Sequence, residues 1–371
     1  MKPLIKYTGG KYKEYDSFKE HIPKEINNYY EPFFGGGGVM FRLLEDNKIK
    51  GSINVSDISE DLIEFYNSVG KEEIKTEVKK IEEAWESIHN ISNDFCKKFE
   101  ALFFDVILGK KNIKEFINDK LKEEIKVSFE KHPDILKINY HGFSLSNRIY
   151  DSIFDKTKKF IKKSVKDDDK YVSCKSLETS IHQGFYFTIR DMYNDWLTGN
   201  KDKYTIYERS AQWFYIREFC FGAMFRFGKN GKFNIPYGGY VYNSKNFSAK
   251  VNNLLSEETK EIFKRIKFDI CDFEKALEKK YEEDDFIFLD PPYDSIFSEY
   301  DNNSFSREDH KRLHDVLENT KCKWLMVIGK TDFIYNLYKG FNITEYNKTY
   351  MYQARGEYES KHTSHLIIKN F

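Results

Sequence analysis

Tyr29-Tyr30-Glu31-Pro32-Phe33-Phe34-Gly35-Gly36-Gly37-Gly38-Val39-Met40-Phe41 is the stretch on which the fold turns. Tyr29 to Phe34 reads as a strand, the four glycines as a turn, and Val39 to Glu45 as the start of a helix. Ser52 to Val55 is a second strand ending at Asp57, and Ser59 to Val69 a second helix. Strand, helix, strand, helix is one βαβα unit of a parallel, doubly wound sheet. Residues 71–127 then turn charged and helical in period, with Ile74, Val78, Ile81, Ala84, Trp85 and Ile88 on one face. Residues 128–175 are mixed, with a Lys-rich helical stretch from Lys156 to Lys163 and a turn at Asp167-Asp168-Asp169. Residues 176–199 and 204–221 read as two more helices. Alternation resumes near residue 260. Strands are expected at Phe268–Ile270, Phe286–Leu289 and Trp324–Ile328, helices at Phe273–Lys279 and Arg307–Leu317, and a closing hairpin from Phe341–Tyr350 and Ser364–Lys369. The expected fold is α/β: a Rossmann-like sheet split by a mainly helical insertion of roughly 150 residues that carries a β-hairpin. The domain boundaries read are 1–70 with 241–371, and 71–240.

The glycine turn lies where doubly wound folds bind nucleotide-like ligands. Glu31, Phe33 and Gly35 are therefore candidate ligand contacts. The turn lacks the Gly-Lys-Ser/Thr of a phosphate loop and a strict G-x-G-x-x-G, which favours a non-phosphorylated adenosine. Asp57 comes 22 residues after Gly35, the residue type and place that bond ribose hydroxyls. A helix N-cap is its alternative role.

Asp290-Pro291-Pro292-Tyr293 follows the apolar strand Phe286-Ile287-Phe288-Leu289. Asp290 is an anionic acceptor, and the prolines, lacking N–H, hold a rigid turn whose carbonyls can face a ligand. Tyr293 adds a flat face. Together they fit an exocyclic amine on a planar base; a capped loop after a strand is the plain alternative. At Tyr7-Thr8-Gly9-Gly10-Lys11 an aromatic and a cation flank two glycines, and Lys11 is either a partner for an anion or an exposed lysine. In Cys271-Asp272-Phe273, Asp272 can accept from a ligand amine while Phe273 packs on its ring, or it can cap a helix.

Residues 222–240 read as a β-hairpin with a tight turn at Asn230-Gly231. Arg226, Lys229, Lys232 and Asn234 alternate with Phe225, Phe227, Phe233 and Tyr237, and Pro236 precedes the last. Arginine reads guanine edges and aromatics pack on unstacked bases; a soluble edge hairpin is the alternative. The 371-residue chain balances 60 basic against 60 acidic residues, so any nucleic-acid surface must be local. Five scattered cysteines without C-x-x-C spacing suggest neither a zinc site nor a disulfide framework. No 18-residue apolar run and no apolar N-terminal segment occur, which predicts a soluble intracellular protein.

Taken in order, these pieces resemble the Dam-type DNA N6-adenine methyltransferases of the D12 class. The resemblance rests on Tyr7 to Lys11, Glu31 to Gly35, Asn54 to Asp57, the Phe185 to Asn194 stretch, Phe233 to Gly238, Asp290 to Tyr293 and the terminal Leu366 to Phe371. Residues 71–175 match nothing in it. The resemblance implies S-adenosylmethionine as methyl donor and double-stranded DNA as substrate. It implies a cytoplasmic, DNA-associated enzyme, with a cognate restriction endonuclease as a functional partner. Tyr7, Lys11, Asp57 and Asp290 match cofactor positions, Asp290 also meets the flipped adenine, and Arg226 matches a base-reading arginine. Gly239 stands where Dam has an arginine on DNA, and His365 where an acidic residue is common. The rival readings are cytosine-N4 methylation, an RNA methyltransferase, and a silent DNA-binding homologue.

Overall fold

The computed structural model describes residues 2–7, 9–162, 170–294, 305–354 and 357–371. Thr8, Lys163 and the turn read at Asp167-Asp168-Asp169 lie outside them. The chain divides into two compact units. One comprises residues 1–3, 9–67 and 260–371, the other residues 4–8 and 68–259. Residues 241–259, expected with the sheet, thus belong to the helical unit. The reason is apolar: Phe247 is buried and its ring packs 5.5–5.7 Å from those of Phe214, Tyr215 and Phe219.

The first unit is built on a seven-stranded sheet. Its strands are β1 (Tyr29–Glu31), β2 (Ile53–Asp57), β3 (Ile266–Ile270), β4 (Phe286–Leu289), β5 (Lys323–Gly329), β6 (Asn342–Ala354) and β7 (Glu357–Lys369). They run in the order β3-β2-β1-β4-β5-β7-β6. The first five pair in parallel, with Tyr29 beside both Ile53 and Phe286, Val55 beside Phe268, and Phe288 beside Leu325. β7 enters antiparallel to β5, placing Ile367 opposite Val327. All four residues of β4 are buried, as a parallel strand covered on both faces requires. From β1 the chain builds toward β2 and β3 on one side, and from β4 toward β5 on the other. The β1–β4 boundary is therefore the topological switch point, outside whose carboxyl ends a crevice must open. The glycine turn leaves β1 there, and Asp290 leaves β4 beside it.

The expected closing hairpin exists but is longer than read, with β6 and β7 spanning 13 residues each. β3 also begins earlier than expected, at Ile266.

In the second unit the helical reading of 71–127 resolves into a 36-residue helix, Glu72–Ile107, followed by Ile113–Phe116 and Asp119–Lys131. The predicted face from Ile74 to Ile88 is buried throughout. Helices Leu145–Lys162, Lys170–Leu197 and Ile206–Phe219 follow. Thr205 opens the last with a capping box closed by Glu208.

Candidate active site

Gly37, at φ +65°, caps the helix Gly38–Glu45, a left-handed conformation that only glycine adopts without strain. Gly38 is required for a different reason. A side chain there would come within 2.7 Å of the Tyr12 nitrogen, so the absent Cβ lets the helix start lie against the Lys11–Tyr12 backbone. That approach carries Lys11 to the switch point.

Lys11 is not an exposed lysine. Its side chain is 2% exposed and its three N–H donors are taken up. Nζ lies 2.7 Å from Asp290 Oδ1 and donates to the Tyr293 hydroxyl at 2.8 Å and to the Gly9 carbonyl at 3.1 Å. Burial pushes the Asp290 carboxyl above its ordinary pKa, and the adjacent Lys11 opposes that shift. Pro291 is buried and Pro292 exposed beyond it. Tyr293 packs edge-on to the His365 ring at 5.4 Å, and a Cβ at Gly329 would press to 3.2 Å of its ring. Tyr293 is thus held from both sides.

Asp57 takes the capping role and also ties the strand to the glycine turn. Its Oδ1 accepts the Ser59 N–H at 2.9 Å, a cap, and its Oδ2 accepts the Gly35 N–H at 2.9 Å, tying β2 to the glycine turn. Glu31, 3% exposed, accepts from the Tyr29 hydroxyl at 2.8 Å. Burial raises the Glu31 pKa well above the usual range, the hydroxyl opposes this, and nearby Asp290 and Asp57 add to the rise. Burial raises Asp57 as well, against the pull of its backbone donors. Three carboxyl groups, Glu31, Asp57 and Asp290, therefore gather at the ends of β1, β2 and β4, with the buried Lys11 paired to Asp290. Such a site suits a ligand that brings positive charge.

Phe33 and Phe273 stack on each other at 5.5 Å, with Phe305 edge-on to Phe33 at 5.6 Å. Asp272 caps the helix Phe273–Leu277 through the Glu274 N–H, and its carboxylate also meets Arg312 at 3.1 Å. The capping alternative is the one the geometry displays. Tyr7 belongs to the other unit, where its ring lies 4.9 Å from the Arg217 guanidinium; the motif read as one therefore spans both units.

Two features escaped the reading. Ile58, between Asp57 and Ser59, is 78% exposed and offers apolar surface at the β2 tip; its only signal was an apolar residue amid polar tip residues. The second is a cluster behind Tyr293. Glu14 accepts from Lys348 and, at 3.2 Å, from the Tyr346 hydroxyl, and lies 3.6 Å from His365 Nδ1. An acid does stand near His365, but it is supplied from 351 positions earlier in the chain, where no local pattern could reveal it.

In the second unit, residues 222–240 form an opened hairpin rather than a continuous ladder. Two antiparallel bridges join Phe227 to Phe233 and Cys220 to Tyr237. The turn runs from Gly228 to Gly231, whose N–H donates to the Gly228 carbonyl at 2.9 Å, with Gly231 at φ +73°. Asn230 is not in the left-handed region, so the mirror-image two-residue turn does not form. Helix Lys170–Leu197 substitutes for missing ladder bonds: Asn194 exchanges two hydrogen bonds with the Phe233 backbone, at 2.8 and 3.1 Å, and the Tyr186 hydroxyl donates to the Ile235 carbonyl at 2.9 Å. Alternation along the returning strand buries Phe233, Ile235 and Tyr237 and exposes Asn234 and Pro236. Arg226 and Lys229 are exposed too, beside the exposed ring of Phe227. Tyr237 departs from expectation: its ring is 6% exposed and its hydroxyl donates to Asn243 at 2.9 Å, so it anchors the hairpin from within. Gly239 adopts φ +86°, ψ −167°, a region essentially closed to other residues.

Among known proteins, the chain matches the family described as D12 class N6 adenine-specific DNA methyltransferase over residues 7–171 and 153–352. It is 27% identical over 374 residues to the type II methyltransferase M.CviBI of Paramecium bursaria Chlorella virus NC1A, covering all of both chains. It is 26% identical over 385 residues to the type II methyltransferase M.MjaIII of Methanocaldococcus jannaschii, covering all of this chain and 99% of that one. The DNA adenine methylase of Vibrio cholerae is 28% identical over 152 residues, 38% of this chain and 52% of its own. No helix among the described residues is long and apolar enough to cross a membrane. With the Asp290 corner and the glycine turn meeting at one switch point, and the family match running through both units, this chain belongs to the D12 class N6 adenine-specific DNA methyltransferases.

Proposed function

We propose that this protein transfers a methyl group from S-adenosylmethionine to N6 of an adenine flipped out of duplex DNA, acting in the cytoplasm as the modification half of a restriction–modification pair. When bound, the donor supplies an electrophilic methyl carried on a sulfonium. Asp57, the Gly35 turn and the exposed Ile58 are assigned to the adenosyl portion, with apolar Ile58 against its planar base. The carboxylates Glu31, Asp57 and Asp290 favour the donor's positive charge. Asp272 and Phe273 are retained as candidates for the same portion.

A base inside the duplex cannot reach such a donor, so it must leave the stack. Adenine N6 is a poor nucleophile because its lone pair is delocalised into the ring. Asp290 and the Pro291 carbonyl would accept its two amino protons, favouring a pyramidal nitrogen and localising the lone pair. Lys11, bonded to Oδ1 of Asp290, holds that carboxylate in place. Tyr293 would stack on the extruded base. Positioning and electrostatics would lower the barrier, and the proton can leave after attack, when N6 is cationic. Arg226, Lys229, Asn234 and Pro236, all exposed, are assigned to DNA.

The observation that carries this reading is the buried Lys11–Asp290–Tyr293 contact at the tip of β4. Its test is nucleoside mass spectrometry of treated DNA, paired with an Asp290→Ala variant. The expected product is N6-methyladenine, with transfer lowered at least about 100-fold in the variant and DNA binding largely kept. N4-methylcytosine as product, or full transfer by the variant, would reject it.

A further inference from the structure

His89, on the helix Glu72–Ile107, faces Glu178 and His182, which stand one turn apart on the helix Lys170–Leu197. One ligand atom from each, two imidazole nitrogens and a carboxylate oxygen, all lie within 4.8 Å of one another. None of the three takes part in the methyl-transfer site.

The protonation pattern of His182 singles out this cluster. Its Nδ1 lies 2.9 Å from the Glu178 carbonyl oxygen. A carbonyl only accepts, so Nδ1 carries the proton and Nε2 presents a lone pair. His182 is fully buried, and among the described residues its Nε2 has no hydrogen-bond partner. An unpaired buried acceptor is costly, and such groups call for a ligand. An N–H from the backbone cannot fill the gap, because both elements are helices whose donors are bonded internally. A metal cation can. The backbone bond at the far ring nitrogen is also the outer-shell contact that orients metal-bound histidines. The ring is further braced by Trp85, edge-on at 4.8 Å.

We propose that His89, Glu178 and His182 form a binding site for a transition-metal ion of the zinc class, which clamps the two long helices of the helical unit. Two nitrogens and one oxygen suit zinc, whereas calcium and magnesium seek all-oxygen shells. Water completes the shell. His89 and Glu178 are only half-buried, which leaves the ion an entry path. The site's role is structural: it fixes the helix that holds the hairpin through Asn194 and Tyr186.

The test uses the full chain without a histidine tag, stripped of metal by a chelator. Zn2+ is titrated in competition with a chromophoric chelator, and melting is followed with and without Zn2+. One equivalent should bind and raise the melting temperature by about 5 °C. His89→Ala and Glu178→Gln, at half-buried positions, should fold yet lose both the equivalent and the shift. His182→Leu should melt no lower than metal-free wild type and ignore Zn2+. Co2+ in the wild-type protein should give the intense visible absorption of a four-coordinate site. Absence of stoichiometric uptake by wild type, or uptake unchanged in His89→Ala and Glu178→Gln, overturns the proposal.

Discussion

Lys11 and Asp290, 279 positions apart in the chain, meet at 2.7 Å, the lysine side chain 2% exposed and the carboxylate 19%. The pair closes the corner at which the glycine turn and the tip of β4 come together. A lysine so deeply placed is tolerable only with a counter-charge and full hydrogen bonding, both of which it has.

Lys11→Met should therefore destabilise the protein by on the order of 3 kcal/mol, because Asp290 is left as an uncompensated, largely buried charge. Adding Asp290→Asn to Lys11→Met should recover part of that loss. Urea denaturation of the two single variants and the double gives the coupling energy directly. Simple additivity would mean the two groups do not sense each other.

Tyr293 separates two contributions. Tyr293→Phe removes the hydroxyl and its bond to Lys11, a loss of about 1.5–3 kcal/mol for a bond to a charged group, and should keep base stacking. Tyr293→Ala removes the ring as well and should further weaken engagement of the extruded base by about 1–3 kcal/mol. Fluorescence of 2-aminopurine at the target position reports the flipped state, and should fall in the Ala variant more than in the Phe variant.

On the hairpin, Arg226 and Lys229 should differ in kind. Arg226→Ala should cost about 1–3 kcal/mol on the cognate sequence and relax preference at one base position. Lys229→Ala should weaken cognate and random DNA alike and lower the salt slope by about 1. Anisotropy titrations over a range of salt distinguish the two; identical behaviour would remove Arg226 from base reading.

His365 gives a pH signature. Burial pushes its pKa down to about 4, with Glu14 opposing, and Lys11 and Lys348 adding to the depression. Tyr293 and Tyr346 also face the ring. The unfolded value is about 6.5, so between that pH and 4 the unfolded chain binds the proton and the native protein does not. Its contribution is whole above about pH 6.5 and drains away as pH falls toward 4, at up to roughly 1.4 kcal/mol per pH unit. His365→Phe keeps an aromatic edge against Tyr293 without titrating. The wild-type minus variant stability difference, from denaturation curves at pH 7, 6 and 5, should shift by roughly that slope. A pH-independent difference would show that His365 titrates normally.

Much of the sheet unit is legible because its signals are local. The first strand is legible as Tyr29 to Phe34 although it ends at Glu31, the second as a short strand ending at Asp57, and β4 as an apolar run followed by Asp290; turns after strands need glycine and proline for steric reasons that act within a few residues. The order of the strands, by contrast, comes from the fold. The hairpin's alternation is legible locally, since Phe233, Ile235 and Tyr237 share a face at period two; which face is buried is not. Tyr237 reads equally well as a DNA contact until Asn243 and helix Lys170–Leu197 are seen beneath it.

The amino-acid order by itself determined which groups stand at the strand tips, since backbone geometry and side-chain type are properties of neighbours. Only the folded chain decided which distant groups meet: Lys11 with Asp290, Glu14 with Lys348, and His89 with Glu178 and His182. Charge pairing and desolvation depend on separation in space, and a linear order carries no distance between residues hundreds of positions apart.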